Sequence, residues 1–232
     1  MRIALIGYGK LGHMIESVAL ERGHEIVGII DPTLNIGDCP SVIDFDSEEF
    51  RSADVAIEFT TPVTAKENVL RAWEQGVPVV CGSTGWKPEE LKVESLKWEE
   101  VGKWEEESGK IICYNKENKP LLVWSSNYSV GVNIFFELNK QLAAHMASQP
   151  QYTPSIKEIH HIHKLDAPSG TAKTLAEQIG TNIAIESIRE GEVPGTHEVT
   201  WDSPEDTIVI THIAKGRRGF ALGAVLEAEK LV

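Results

Sequence analysis

Three of the chain's eight histidines fall within four positions, in the run Glu158-Ile159-His160-His161-Ile162-His163-Lys164-Leu165-Asp166-Ala167-Pro168-Ser169-Gly170-Thr171-Ala172. An imidazole titrates near neutrality, and a lysine ammonium is a cation that can also give up a proton, so the run is equipped for proton transfer. Extended backbone puts His161 and His163 on one face and His160 with Ile162 on the other. Metal binding is the poorer reading, because no cysteine lies nearby and two same-face histidines need further ligands from elsewhere. We expect no metal; the bland alternative is a cluster of surface histidines on an edge strand. Beyond Pro168, Ser169-Gly170-Thr171 opens a helix that runs to about Ile179. A helix N-terminus offers unpaired N–H groups and a positive dipole end to an anion such as a carboxylate.

A second chemical signal is Gly7-Tyr8-Gly9-Lys10-Leu11-Gly12, a GxGxxG pattern. Alone it is loose, but here it follows the apolar run Arg2–Ile6 and opens the helix-periodic stretch Leu11–Arg22, the context a dinucleotide loop requires. Gly7 permits the tight turn, Gly9 lets backbone approach a pyrophosphate, and Gly12 allows close helix–strand packing. Asp31 stands about 20 residues on, at the end of the second strand, where a carboxylate holds the adenosine ribose hydroxyls. That carboxylate repels a 2′-phosphate, so NADH is the expected cofactor, with NADPH tolerated because Lys10 offers a positive charge. Ligands of parallel sheets bind outside the carboxyl ends of the strands, which brings in Phe59-Thr60-Thr61-Pro62 and Gly82-Ser83-Thr84-Gly85.

These residues need a scaffold. Arg2–Ile6, Glu25–Ile30, Val42–Phe45, Asp54–Phe59 and Val77–Cys81 read as strands. Between them lie the helix Leu11–Arg22 and a second helix from Thr61-Pro62, as N-cap and first-turn proline, to about Gln75, with Gly76 as its stop. Such alternation implies a parallel sheet covered on both faces. Lys87–Gly109 reads as a charged helical stretch whose near-repeat, Lys97-Trp98-Glu99-Glu100 and Lys103-Trp104-Glu105-Glu106, makes a surface segment. Ile111–Tyr114 and Leu121–Trp124 are short apolar runs around the polar turn Asn115–Lys119. After Asn127 the pattern changes to a long helix, Val130–Ala147, and then strands at Ile156–Ile162, Ile183–Arg189, His197–Trp201 and Thr207–Ile213, with a last helix Phe220–Leu231. The fold class is α/β: a Rossmann-type doubly wound parallel sheet plus a second α+β domain with an open mixed sheet. The expected boundaries are 1–127 for the dinucleotide-binding domain, with a C-terminal helix 219–232 packing back on it, and 128–218 for substrate binding and oligomerisation. Closure about hinges near Asn127–Ser129 and Lys215–Gly219 is expected, because a nicotinamide held by one half must meet a substrate held by the other.

Bulk composition narrows the partners. The 232 residues carry a formal net charge of −13, from 22 Lys and Arg against 35 Asp and Glu. An acidic surface repels nucleic acid and anionic lipid but allows a local basic pocket for a small anion. No apolar run approaches the roughly 20 residues that span a bilayer. Cys39, Cys81 and Cys113 are too few and scattered for a disulfide framework. A cytoplasmic protein with free thiols is the expectation, and Met1 running straight into a strand does not read as a signal peptide.

The segment from His160 to Ala172 resembles the signature of the 4-hydroxy-tetrahydrodipicolinate reductase family of lysine and diaminopimelate biosynthesis. The likeness extends to Gly7–Gly12, Phe59-Thr60, Gly82–Gly85, Ser125-Ser126-Asn127-Tyr128-Ser129-Val130-Gly131-Val132-Asn133, Gly191–His197 and Arg217 through Val225. It implies that His160 is a catalytic proton donor and acceptor, and that Lys164 is a catalytic proton donor. It implies that His161 and the Gly170-Thr171 pair hold substrate carboxylates. It further implies cofactor contacts from Gly7, Tyr8, Gly9, Lys10, Leu11, Gly12, Asp31, Gly82, Ser83, Thr84, Ser125, Ser126, Asn127 and Tyr128, and a homotetramer built through the second domain's sheet. The likeness is weakest over Lys97–Lys119 and in the compact stretch between Thr181 and Ile188. Two other readings share the architecture: another NAD(P)-dependent dehydrogenase of amino or keto acids, which has no need of the His160–Thr171 segment, and a non-catalytic NAD-binding sensor, which has no need of His160 or Lys164.

Overall fold

The computed structural model describes residues 1–34, 42–86, 88–91, 101–107, 109–180 and 183–232. The chain forms two compact units, Met1–Ser129 with Phe220–Val232, and Val130–Gly219. In chain order the first unit holds β1 (Arg2–Ile6), α1 (Lys10–Glu21), β2 (Glu25–Ile30), α2 (Glu48–Arg51), β3 (Val55–Glu58), α3 (Ala65–Glu74), β4 (Val79–Cys81), β5 (Val101–Glu107), β6 (Lys110–Asn115) and β7 (Pro120–Ser125). The second holds α4 (Val130–Met146), β8 (Thr153–His160), α5 (Gly170–Ile179), β9 (Ala184–Arg189), β10 (Thr196–Asp202) and β11 (Thr207–Ile213); α6 (Arg218–Leu231) then returns to the first.

The described strands of the first unit form one sheet in the order β2-β1-β3-β4-β7-β6-β5. The run from β2 to β7 is parallel, and β6 and β5 add an antiparallel edge. β1 and β3 are buried almost throughout, as strands covered on both faces must be. Alternate residues separate the two layers: Ala4, Ile6 and Ala56 face Val69, Ala72 and Trp73 of α3. Ile3, Leu5, Val55 and Ile57 face Ile15 and Val18 of α1 and Ala224, Val225 and Ala228 of α6. The sheet order reverses beside β1, so the loops after β1, β3 and β4 open at the carboxyl edge where such folds take their ligands.

The second unit is a four-stranded mixed sheet, β11-β10-β8-β9, in which β8 and β9 are parallel and the other pairs antiparallel. Ile156, Val199 and Trp201 point from the sheet into a core closed by Phe135 and Met146 of α4 and Leu175 of α5. No described helix is long and apolar enough to cross a membrane.

Four local expectations change. Residues 101–107, read as helix, form edge strand β5, where Trp104 turns inward near Trp73 with ring centroids 6.5 Å apart. The first half of the near-repeat, Lys97–Glu100, lies outside the described residues, as does Cys39. Val42–Phe45 makes only a single bridge, Val42 to Ile29, because Phe45 is drawn into the core beside Phe50. Thr61 does not cap α3 by its side chain; its hydroxyl meets that of Thr64 at 2.9 Å in a turn, and the helix begins at Ala65. Strand β8 ends at His160, with a turn at Ile162-His163, so the assignment of alternate histidines to opposite strand faces does not hold.

Candidate active site

In the first unit, Gly7 has φ +93° and an added Cβ there would lie 2.3 Å from the Phe59 carbonyl oxygen. The loop therefore presses directly on the end of β3. Gly12 packs as closely, with an added Cβ 2.5 Å from the Gly7 oxygen, whereas nothing lies within 4 Å of one on Gly9. α1 starts after Gly9 with no side-chain cap and no acidic residue in its first turn. Its leading N–H groups thus face the opening over Gly9, a cradle suited to a pyrophosphate.

Asp31 braces this loop. Its Oδ2 accepts the Tyr8 N–H at 2.7 Å, and its Oδ1 accepts from the Thr33 N–H at 2.9 Å and hydroxyl at 2.6 Å. Burial works to raise its carboxyl pKa, but these hydrogen bonds outweigh it and hold the group below the usual carboxylate range. Tyr8 stacks on His13, with ring centroids 3.9 Å apart, and its hydroxyl donates to Glu16.

At the neighbouring strand ends, the Ser83 hydroxyl accepts the Thr60 N–H at 2.7 Å, tying the loop after β4 to that after β3. Trp86 and Trp124 donate their indole N–H groups to the Ser83 carbonyl at 2.9 and 3.0 Å. Of the Ser125–Tyr128 segment, Ser126 is exposed and Asn127 half-buried, whereas Ser125 and Tyr128 point inward. The Tyr128 hydroxyl donates to the carbonyls of Cys81 at 2.9 Å and Val123 at 2.7 Å. Both inward residues thus shape the edge from beneath.

One residue here escaped the sequence reading. Glu58 is fully buried at the end of β3, where Oε1 accepts from Thr60 and Oε2 faces the Cys81 thiol at 3.0 Å. Burial, then Glu58, pushes the Cys81 thiol far up. Its one sequence signal is an acid in an otherwise apolar strand.

In the second unit, β-register assembles the chemistry. Glu158 and His160 share the helix-covered face of β8; antiparallel pairing sets His197 of β10 opposite Glu158, and parallel pairing sets Arg189 of β9 beside His160. His160 is 7% exposed, with Nδ1 3.4 Å from Glu158 Oε2. Its ring meets that of His197 edge-on at 5.0 Å. Burial lowers the His160 pKa, with Glu158 opposing and Lys164 and Arg189 reinforcing. Burial, then His160, lowers His197 to about 4.

Glu158 is the hub. The Ser169 N–H reaches its two oxygens at 3.1 and 3.2 Å, and Arg189 Nη2 donates to Oε1 at 3.1 Å. Burial would raise this carboxyl, yet the bonds from Ser169 and Arg189 hold it below the ordinary range. Arg189 also reaches the carbonyls of Asp166 at 2.5 Å and Lys164 at 3.3 Å, stapling the loop between β8 and α5 to β9. On that loop the Lys164 ammonium meets Asp166 at 2.7 Å. His161 is half-buried, while His163 is exposed and pairs with Glu192 at 3.2 Å. Ser169 caps α5, its hydroxyl accepting the Ala172 N–H at 3.2 Å, which leaves Gly170 and Thr171 to head the helix. Nothing lies within 4 Å of a Cβ added to Gly170. Glu158, His160 and His197 do set donor atoms within 4.8 Å of one another, a spacing that could hold a metal ion. The guanidinium of Arg189 on Glu158 already supplies the cation such a carboxylate needs.

Neither Glu158, His197 nor Arg189 was singled out for a role from sequence, although Glu158 begins the histidine run and His197 falls in a segment that carries the resemblance. In the second unit His160, His161, Lys164, Gly170 and Thr171 lie on or at the ends of the one loop, between β8 and α5, that Arg189 clamps. The first gathers Gly7–Gly12, Asp31, Thr60 and Ser83 along one edge.

Comparison with known proteins is consistent with both halves. Residues 1–101 match the family model of the dihydrodipicolinate reductase N-terminus, and residues 131–232 that of its C-terminus. A 4-hydroxy-tetrahydrodipicolinate reductase of Christiangramia forsetii is 40% identical over 247 residues, covering 100% of this chain and 92% of the relative. One of Staphylococcus aureus is 34% identical, covering 100% and 95%. A dipicolinate-bound dihydrodipicolinate reductase structure from Paenisporosarcina sp. TG-14 shares the fold, with a TM-score of 0.70 at 21% identity and coverage of 100% and 94%. Likeness at this level along the whole length, with both halves of one family matched in order, means that the chain belongs to the dihydrodipicolinate reductase family of NAD(P)H-dependent oxidoreductases.

Proposed function

We propose that the loop from His160 to Thr171 is where this reductase holds and protonates its substrate, and that the edge formed by Gly7–Gly12, Asp31, Gly82–Thr84, Ser126 and Asn127 holds the cofactor. The reaction is the NAD(P)H-dependent reduction of 4-hydroxy-tetrahydrodipicolinate to tetrahydrodipicolinate, in lysine and diaminopimelate biosynthesis. Once the 4-hydroxyl leaves as water, the ring is a conjugated imine; bound NAD(P)H supplies a hydride to the ring carbon conjugated with it. The enamine that results needs one proton, and two carboxylates need cationic or N–H partners throughout.

The observation that supports this reading is the loop carrying Lys164 between His160 and the α5 N-terminus, which Arg189 clamps by its carbonyls. Lys164 delivers the proton: its ammonium sits at the rim of the loop, paired with Asp166. His160, whose pKa burial lowers, accepts and returns a proton. His161 and the Gly170 and Thr171 amides hold the carboxylates. Ser125 and Tyr128 support the cofactor edge from below. NADH is the preferred cofactor and NADPH is accepted, because Asp31 offers a carboxylate where a 2′-phosphate would sit. The protein works in the cytoplasm as a homotetramer built on the open face of the second unit's sheet, where Val209 is 48% and Ile213 64% exposed.

The test is oxidation of NADH and NADPH, in parallel, when the substrate is made in place from aspartate semialdehyde and pyruvate by the preceding synthase. Absence of turnover with both cofactors removes the reading. Lys164→Ala is expected to lower kcat by about 10²–10⁴-fold with NADH affinity unchanged. An equal loss of NADH affinity would mean that its role is misassigned.

A further inference from the structure

His160 lies at the very end of a strand, and an imidazole there has two free torsions. Two neighbours restrict that freedom and a third leaves one side of the ring open. The Glu158 carboxylate, two residues earlier on the same face, lies 3.4 Å from Nδ1, an ion-pair distance without a hydrogen bond. The His197 ring lies edge-on at 5.0 Å with an interplanar angle of 71°, closing the lateral direction. On the far side, Gly195 has φ +150°, and an added Cβ would stand 3.2 Å from His160 Nε2, so the absence of a side chain keeps that nitrogen uncovered.

The carboxylate is itself fixed. Arg189 Nη2 donates to Oε1 at 3.1 Å and the Ser169 N–H reaches Oε1 and Oε2 at 3.1 and 3.2 Å, while Oε2 also faces His160 Nδ1 and, at 3.8 Å, His197 Nε2. His197 Nε2 also lies 3.2 Å from the Ser169 hydroxyl that caps α5. One carboxylate thus ties the imidazole to the helix N-terminus and to the arginine that clamps the Lys164 loop. A fully buried acid is costly unless its charge is answered, and here a guanidinium and a backbone N–H answer it.

We propose that Glu158 is a positioning residue for this reaction: anchored by Arg189 and Ser169, it directs His160 Nδ1 inward, and with His197 at the ring edge it leaves His160 Nε2 facing the space beside Gly195 as the nitrogen that exchanges protons. This rests on the reading of His160 given above. The carboxylate lies on the Nδ1 side of the ring at ion-pair distance without hydrogen-bond geometry, so it orients the imidazole by its charge, and a proton drawn to the nearer nitrogen leaves the outer one able to accept. The groups around His160 are Glu158 on its own strand, Arg189 on β9, His197 on β10, and Lys164 and Asp166 on the loop.

The experiment is a double-mutant cycle in the full-length enzyme: Glu158→Asp, which keeps the charge but withdraws it by one methylene, alone and combined with His160→Gln. Glu158→Asp is expected to lower kcat at least tenfold, part of the about 10²–10⁴ that a positioned acid–base group contributes. KM for the substrate and the dissociation constant for NADH should stay within threefold, roughly 0.7 kcal/mol. With His160→Gln already present, the same substitution should cost less than about twofold. Glu158→Gln, near-isosteric, is scored the same way and decides the matter if Glu158→Asp disturbs the far-UV circular dichroism. An equal fall in kcat in both backgrounds, or no fall, overturns the proposal, as does failure of both variants to fold. If His160→Gln itself leaves kcat unchanged, the reading of His160 fails and this one with it. If His160→Gln lowers kcat but the effects multiply, only the role of Glu158 fails.

Discussion

The first and second glycines of the GxGxxG loop look equivalent in sequence but face different surroundings, which predicts opposite behaviour for the same substitution. At Gly7 an alanine must adopt φ +93°, and its methyl would stand 2.3 Å from the Phe59 oxygen and 2.8 Å from its carbon. The left-handed conformation costs about 1–2 kcal/mol. Relieving the overlap requires backbone to retreat by about 1 Å, an overpacking cost of about 1–3 kcal/mol. Stiffening of the unfolded chain returns about 0.4–1 kcal/mol. Gly7→Ala should therefore lose about 2–4 kcal/mol, or roughly 5–15 °C in Tm for a chain of this size. At Gly9, φ is −76° and nothing lies within 4 Å of an added Cβ. Gly9→Ala should leave stability within about 0.5 kcal/mol. Its methyl, however, occupies the approach to the α1 N-terminus, and NADH affinity should fall at least tenfold, about 1.4 kcal/mol. Urea unfolding followed by tryptophan fluorescence reads the first effect, since five of the six tryptophans precede residue 130. Titration of NADH reads the second. A Gly9→Ala protein that is destabilised as much as Gly7→Ala, or that binds NADH as tightly as the unsubstituted protein, would contradict this difference between the two glycines.

Three further outcomes follow from other contacts. Asp31→Ser should move the NADPH-to-NADH affinity ratio about tenfold or more towards NADPH, because a unit charge a few ångströms from a 2′-phosphate is worth about 1–4 kcal/mol at a protein surface; an unchanged ratio would place the 2′ position elsewhere. The Glu229 carboxylate, hydrogen-bonded first by Arg22 and also by His24, is held down to about 2. Its contribution is complete above its ordinary pKa and disappears as pH falls through about 2, so the gap in thermal midpoint between the protein and Glu229→Gln should be full at pH 6 and closed near pH 2. Val209→Glu, on the open face of the second sheet, should shift the mass measured by light scattering from tetramer to smaller species while the circular dichroism stays the same; an unaltered tetramer would move the interface to another surface.

Local pattern reached a long way here. The glycine loop, the strands on either side of it and the α5 cap depend on neighbours in sequence, and β1, α1 and β2 lie where periodicity places them. Misreadings came where distant partners decide. Lys103-Trp104-Glu105-Glu106 has the charge of a helix surface, but pairing with β6 and the packing of Trp104 near Trp73 make it a strand. The histidine run leaves the sheet at His160 because Arg189, on the neighbouring strand, captures the carbonyls of the loop that follows. The same holds for the site. His160 and Lys164 are visible as a local run, whereas Glu158, Arg189 and His197 come together only through the register of three strands.

The return of α6 to the first unit has a consequence for how the chain matures. Ala224, Val225 and Ala228 complete the layer over Ile3, Leu5, Val55 and Ile57. Translation delivers them about 100 residues after β7, roughly 5–20 s later at ordinary elongation rates. In that interval the whole of the inserted unit, Val130–Gly219, leaves the ribosome with its core residues already in hand. The inserted unit can finish folding while the sheet that precedes it still waits for its cover, so the half that begins the chain is the last to be completed.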